Sequence, residues 1–541
     1  MSTQQPKSDS EKEPRTAGED EILEPHVHLK TYIAVFAVCV GFVAQNFAIT
    51  GAGAQAQAIG EQFHSTDTAW TTGTLVIFCV VLGPIISQCA DYWGRKPFLI
   101  TLNLVGIAGS LIVARAKDMT MIIAGFCIIG LPFGAQGLIH AVASEVIPRR
   151  WRSWGQAAAL VSTEVGLVLG LILSGALGRN GKADGFRNFY YITAGLFLLC
   201  TILCVVAYHP PPTKQQFEVT GFRAKLARLD WVGFFLLAGS LVLFCVALNW
   251  SQNPYPWSDP HVSALFALSI VLAAVMGLYE WRKPDGLFHH GLFQNRMYPI
   301  CLICVFGEGT AFFAANAYLP YQISTLYEED LLFVTLRLAI GFMAAAALFI
   351  FVAFFAGMAG ATKNDESGGT TWGLPVLLGW AFGMVMVTLV TAAQLCVPPS
   401  LITIASCLML SVRALGGTMG FAIYQAVFQS ALSQLHTNIG EALVSAGLPR
   451  AAIPDVLPAI TAQNTTGLLT LQGVTPEIVE AGTSALRATY RSGFHNVWAT
   501  AAGFVSFAAV VSMFMFDPSS EFNYHIDAPV EAEEALYSKE P

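Results

Sequence analysis

Residues 91–96, Asp91-Tyr92-Trp93-Gly94-Arg95-Lys96, form a short charged link between two apolar stretches, Ala69–Ala90 and Pro97–Ala114. At a rise of 1.5 Å per residue, about 20 apolar residues cover the hydrocarbon core of a bilayer, so either stretch is long enough to cross. Read by itself, the link is a polar turn whose bases mark the cytoplasmic side. Its composition also suits a conformational switch. Gly94 permits a tight connection, while Asp91, Arg95 and Lys96 offer charges that can latch neighbouring helices in one arrangement.

The remaining composition points the same way. The 541 residues are 54% hydrophobic and 12% charged, with a mean hydropathy of +0.57, which excludes an ordinary soluble protein. The net charge of -8 comes largely from the ends. Ser8–Glu24 and Asp517–Pro541 are acidic and poor in large apolar residues, so tails 1–30 and 517–541 are expected to be disordered. No apolar run precedes Thr31, so no removable leader is expected and the first span directs the chain to the membrane. The eleven cysteines, Cys39 through Cys407, lie in or beside apolar runs without paired spacing. They read as small packing residues, with no disulfide framework, metal site or cofactor expected.

Apolar spans are predicted near 31–50, 69–90, 97–114, 119–146, 154–177, 189–208, 231–249, 261–281, 298–321, 333–360, 372–394, 401–429 and 497–516, thirteen in all. With the amino terminus inside, the inner loops up to the eighth connection carry twelve Lys and Arg, among them Arg149, Arg150 and Arg152, against five in the outer loops. That asymmetry places the amino terminus in the cytoplasm. Pro148, Gly166 and Gly170 recur 250 residues later as Pro398, Gly416 and Gly420. In both copies a proline closes one span and a Gly-x-x-x-Gly pair sits in the middle of the next, where it allows a neighbouring backbone to approach. Two related halves are expected, 31–208 and 297–516, joined by a 209–296 linker that holds two more spans.

The opening link resembles the loop between the second and third spans of the major facilitator superfamily, with Ser87 where the consensus begins with Gly and Tyr92 where it has Arg. Further stretches are similar to one branch, the fungal trichothecene efflux pumps, close to the siderophore transporters. They are Ser144-Glu145-Val146-Ile147-Pro148, Leu229-Asp230-Trp231-Val232-Gly233, Tyr255-Pro256-Trp257, Tyr279-Glu280-Trp281-Arg282 and Ser411-Val412-Arg413-Ala414-Leu415-Gly416-Gly417. The resemblance implies an all-α polytopic fold with two pseudo-symmetric helical halves and fourteen spans. Three departures stand out. Phe126 occupies the place of the arginine usual in the fourth span of drug antiporters, and Leu171 replaces the proline of the fifth-span antiporter motif. The stretch 333–360 is too short for two crossings, which implies either a deletion near 345–360 or a true thirteen-span chain with its carboxyl tail outside.

An ionised group at mid-membrane costs about 2.5–3.5 kcal/mol on insertion scales, so each calls for a reason. Glu308, between Gly307 and Gly309 in the ninth span, is the first candidate for proton exchange, and Glu164 the second. Arg413 is placed to pair with a carboxylate or to meet an anionic substrate, and His140 reads as a packing histidine or, alternatively, a substrate-binding or coupling residue. Gln45, Asn46 and Gln55 near the first span, and Asn316, Tyr318 and Tyr321 in the ninth, supply neutral hydrogen-bonding groups; with Phe312 and Phe313 they suit a large amphipathic molecule. His289 and His290 lack further ligands at metal spacing, and Asn464-Thr465-Thr466 is a glycosylation sequon.

The expected function is secondary active export of an amphipathic small molecule such as a fungal toxin, drug or other secondary metabolite. The expected setting is a monomer in the plasma membrane, with protons as the candidate coupling ion and no nucleic-acid partner. Siderophore-iron transport is the alternative, followed by a non-transport membrane protein or an inactive truncated product. No nucleophile–base motif suggests an enzyme, and Gly175 to Gly181-Lys182-Ala183 is misspaced for a phosphate loop, so a gradient must supply the energy.

Overall fold

The computed structural model describes residues 27, 29–65, 68–178, 185–210, 216, 221–251, 255–283, 286–327, 355, 357–358, 370–461, 474–515 and 525–527. Among them the architecture is helical, with no β-strand. The first half comprises α1 (Leu29–Ala54), the short α2 (Ala56–Phe63), α3 (Ala69–Trp93), α4 (Arg95–Ala114), α5 (Met119–Gly130), α6 (Gln136–Glu145), α7 (Arg152–Gly178) and α8 (Gly185–Ala207). A 3-10 turn, Leu131–Ala135, joins α5 to α6, so Pro132 breaks the fourth span without ending it. A short α9 (Phe222–Arg228) leads to the additional pair α10 (Trp231–Trp250) and α11 (Pro260–Arg282). The second half holds α12 (Met297–Leu326), α13 (Thr370–Leu395), α14 (Ile402–Leu432), the short α15 (Leu435–Ser445) and α16 (Ile453–Thr461), and α17 (Pro476–Ser512). Eleven of the described helices are long and apolar enough to cross a bilayer, and α13 contributes the shorter apolar stretch Ala381–Leu395.

Side-chain caps fix where several helices begin. Asp118 accepts a hydrogen bond from the Met121 amide at 2.7 Å, Asp230 from the Gly233 amide at 3.1 Å, and Asp259 from the His261 amide at 2.9 Å. Each satisfies a donor that the first helical turn otherwise leaves unpaired.

The two glycine pairs do the same job in each half. A Cβ on Gly166 would sit 2.6 Å from the Val43 carbonyl oxygen, and one on Gly170 3.1 Å from Thr50 Cβ and 3.2 Å from the Phe47 carbonyl oxygen, so α7 lies directly on α1. A Cβ on Gly416 would sit 2.4 Å from the Phe306 carbonyl oxygen, and one on Gly420 3.1 Å from Thr310 Cα, so α14 lies directly on α12. The matched spacing sets a register between the halves: Val43 corresponds to Phe306, and Gly166 to Gly416.

Helix directions follow from contacts at the ends. The link between α3 and α4 and the loop before α7 share one face, which carries Arg95, Arg149 and Arg152. Tyr298, near the start of α12, donates to the Ala405 carbonyl at 2.9 Å, and Arg152 donates to the Gln394 carbonyl at 3.4 Å, so α12 begins and α13 ends on this basic face. Phe312 stacks on Phe382 at mid-height, with centroids 4.8 Å apart. The two helices are therefore antiparallel, and Leu326 and Thr370 lie at the same, opposite end. A single crossing between them, as the thirteen-span expectation requires, would have put Thr370 on the basic face. The predicted 333–360 span itself lies outside the described residues, apart from 355 and 357–358. The tail returns to the basic face as well, where Asp527 pairs with Arg149 at 2.9 Å. Within the tail expected to be disordered, residues 525–527 are bound to the first half, on the face that carries the 91–96 link.

At the far end, α15, α16 and the first turns of the 37-residue α17 enclose a small apolar core of their own, built from Ile439, Leu443, Val456, Ile460, Ile478 and Leu486. At 1.5 Å per residue α17 is about 55 Å long, well beyond the bilayer's hydrocarbon thickness, so its start belongs to this cap.

Two outcomes are expected. Gly416→Leu should collapse the yield of monodisperse protein in detergent gel filtration, whereas Gly503→Leu, where an added Cβ meets nothing within 4 Å, should be tolerated. A protease site placed after Pro541 should be protected or cleaved in sealed cells together with one placed in the 91–96 link, since residues 525–527 and that link share one face.

Candidate functional site

Mid-height in the second half, Glu308 is fully buried and holds Arg413 in a two-point pair. The Arg413 Nε donates to Oε2 at 2.6 Å and its Nη2 to Oε1 at 3.0 Å. The geometry depends on the glycines around Glu308. A Cβ on Gly309 would overlap the Arg413 carbonyl oxygen at 2.1 Å, and one on Gly307 would meet Ala508 Cβ at 2.5 Å, so α12 is pressed between α14 and α17. Three rings surround the guanidinium, Phe312, Phe382 and Phe313, at 4.5, 5.1 and 5.9 Å from their centroids. Removing charges from water is costly, and two parallel charge-assisted hydrogen bonds with cation–π contacts offset that cost.

The register exposes an asymmetry. Two residues beyond Phe306 stands Glu308; two beyond Val43 stands Gln45. Three residues before Gly416 stands Arg413; three before Gly166 stands Thr163. The pair therefore exists only in the second half, and the first half carries neutral groups at the matching places. Its own acid, Glu164, is one residue along from Thr163. Both Glu164 carboxylate oxygens are shielded from solvent and lack a hydrogen-bond partner. Arg413 lies on a seam helix: its neighbours Ser411 and Ala414 both pack against the first half. Arg413 is thus bonded to Glu308 on a helix that borders the seam, while Glu164 of the first half is buried without a hydrogen bond.

On the basic face the seam is closed. Arg95 pairs with Glu145 and donates to Thr403 Oγ1 of the second half at 2.8 Å. Gly94 turns the chain at φ 91°, and Lys96 donates to the Val205 carbonyl at 3.0 Å. Gln394 donates to Ser406 Oγ at 2.8 Å and to the His140 carbonyl at 3.3 Å, while Gln156 donates to Gln394 Oε1 at 3.2 Å. Deeper in, a Cβ on Gly137 would sit 2.4 Å from Cys407 Cα, and Ser411 Oγ donates to the Cys79 carbonyl at 3.3 Å.

The other expected groups divide clearly. The buried His140 ring has its Nδ1 2.5 Å from Gln156 Oε1 and its edge on Phe42, a packed position at the seam. Gln45 donates to the Pro132 carbonyl at 3.0 Å and Asn46 to the Phe42 carbonyl at 2.9 Å, so both amides are partly spent on the backbone. Tyr318 donates to Gln425 Oε1 at 3.1 Å amid Phe421, Tyr424 and Phe428. The Asn316 side chain and Asn464 lie outside the described residues. Phe126, in place of the usual arginine, packs edge-on against Tyr190. His289 accepts from the Gly291 amide and His290 Nε2 lies 2.9 Å from the Glu280 carbonyl oxygen; no metal-binding cluster occurs among the described residues.

Sequence reasoning did not single out Gln156, Gln394 or Thr403, which are uncharged and close the seam by hydrogen bonding alone. Nor did it assign roles to Asp230, Tyr279 and Lys283, which anchor the additional helices. Tyr279 donates to Asp230 at 2.6 Å and Lys283 lies 3.0 Å from the same oxygen. Burial opposes ionisation of Asp230, but bonds from Tyr279, the Gly233 amide and Lys283 outweigh it and hold the carboxyl below its usual range. Two of the three residues lay in stretches already quoted.

Arg413→Ala strands Glu308 without its cation and should cost about 3–5 kcal/mol, read as a lower melting temperature in detergent. Glu164→Gln removes no hydrogen bond and should leave that temperature unchanged.

The family model described as fungal trichothecene efflux pump (TRI12) matches residues 18–327, more than half of the chain. The chain is 21% identical over 504 residues to the trichothecene efflux pump TRI12 of Fusarium sporotrichioides, covering 87% of this chain and 82% of the relative. It is 32% identical over 278 residues to the efflux pump apf11 of Gibberella fujikuroi, covering 48% and 47%. Among solved structures, a bacterial homologue of the human lysosomal transporter Spinster, in an inward-facing and occupied conformation, superposes with a TM-score of 0.52 at 13% identity, over 91% of this chain and 100% of that one. That likeness concerns the fold alone. With two packed halves, a seam and a buried charge cluster facing it, the chain belongs to the fungal trichothecene efflux pump family of the major facilitator superfamily.

Proposed function

We propose that this chain exports an amphipathic fungal metabolite or toxin, of which a trichothecene is the model compound, across the plasma membrane as a monomer, driven by the proton gradient. The basic face is cytoplasmic in this reading, as the lysine and arginine asymmetry of the loops supports. The siderophore alternative is not carried forward, since the matching family and the relatives named above are efflux pumps.

The observation that carries the reading is a buried arginine paired with one acid, together with a second buried acid that has no hydrogen bond. Arg413 can hold only one carboxylate in its two-point grip, and in this conformation it holds Glu308. Glu164, left without a hydrogen bond in a shielded site, is then the place for a proton. In the opposite conformation Glu164 releases its proton to the basic face and competes for Arg413 while Glu308 stays ionised, so one proton crosses in each cycle. The position of the proton and the tilt of the two halves are thereby linked. Phe312, Phe313 and Tyr318 offer apolar and polar surface to a substrate of mixed character.

In sealed vesicles with the basic face outward, an acid interior should drive accumulation of labelled trichothecene. Glu164→Gln and Glu308→Gln should each abolish gradient-driven accumulation while retaining equilibrium binding. Accumulation that keeps its pH dependence in both variants would remove these acids from the coupling. In a pump-deficient yeast, expression of the chain should lower intracellular toxin; an unchanged level would refute export of that class.

A further inference from the structure

The last described residues sit at the point where the seam is most charged. Asp527 pairs with both Arg149 and Arg152, at 2.9 Å from the Arg149 Nη2, and the Arg149 Nε lies 3.3 Å from its second oxygen. The Arg149 amide donates to the His525 carbonyl at 3.0 Å, so backbone and side chain dock together. The carboxylate of Asp527 is only 3% exposed and Arg152 1%. Exposed ion pairs are worth little, but a doubly paired carboxylate shut away from water is a strong charge-assisted contact.

Its place in the fold gives it a purpose. The tail follows α17, a helix of the second half, yet Arg149 lies in the turn before α7 and Arg152 begins α7, both in the first. Arg152 reaches back across the seam to the Gln394 carbonyl at 3.4 Å and also donates to the Ser144 carbonyl at 3.3 Å. Asp527 therefore orients an arginine that bridges the halves, beside the Arg95–Glu145 pair and the Arg95–Thr403 bridge. Opening the basic face pulls Arg152 from Gln394 and admits water to Asp527.

We propose that residues 525–527 are a built-in lock on the basic face, with Asp527 holding Arg149 and Arg152 in the geometry that keeps the halves together there. This rests on the reading that the halves rock about the seam, but not on the identity of the substrate. Removing the lock shifts the population toward the form open on that face.

Cys407, buried under Gly137 at the seam, reports the opening. In the purified full chain in nanodiscs, N-ethylmaleimide labelling of Cys407, resolved by peptide mass spectrometry, should be about tenfold faster in Asp527→Asn, the change expected for one charge-assisted contact. Asp527→Glu should label near the wild-type rate. A chain ending at Met515 removes the lock without leaving its carboxylate side unpaired, and should also label faster if Asp527→Asn folds poorly. Wild-type labelling rates in both Asp527→Asn and the shortened chain would overturn the proposal. Faster labelling with no export of trichothecene would leave the lock standing and sink only the assigned substrate.

Discussion

Two helices that touch backbone to backbone at Gly416 and Gly309 set the terms for the rest of this molecule. Within hydrocarbon no apolar driving force distinguishes helix from lipid, so close van der Waals approach decides which helices pair. The contact of α14 with α12 brings Arg413 onto Glu308 at bonding distance, and a pair of longer side chains in place of the glycines would separate the charges they carry. The same contact made by α7 on α1 has no charges to deliver, and the two halves share a skeleton but not an electrostatic plan.

The skeleton was largely legible. The repeated proline and glycine pairs located the matched helices, because a spacing of four places both glycines on one helical face whatever the neighbouring residues are. The spans were readable because each must be apolar throughout. What was not legible is how Arg413 and Glu308, 105 positions apart, meet, since pairing across helices depends on rotation about each axis. The parity of the crossings also escaped the sequence. It rests on which end of α13 meets Arg152, and hydropathy carries no direction. The tail misled for a related reason: low apolar content argues against an independent core, yet a few acidic residues need only a basic surface to bind.

The closed basic face and the central cluster are built from different materials. At the face, hydrogen bonds among Gln156, Gln394 and Ser406 accompany the ion pairs, and such neutral contacts are readily exchanged for water when the seam opens. In the centre, burial makes every charge expensive, and a change in one must be answered by another. A transporter needs both, a surface that parts readily and a core that registers which state it is in.

The additional pair of helices bears on how a fat-soluble cargo travels. α10 lies against α3 of one half and α14 of the other, with Cys245 buried in the same cluster as Ala414, and α11 shields α10 while turning most of its own side chains outward. On that flank the additional pair covers the line where α3 and α14 meet. For the proposed export of an amphipathic molecule, such cover gives the seam a side wall that a bare twelve-helix bundle lacks.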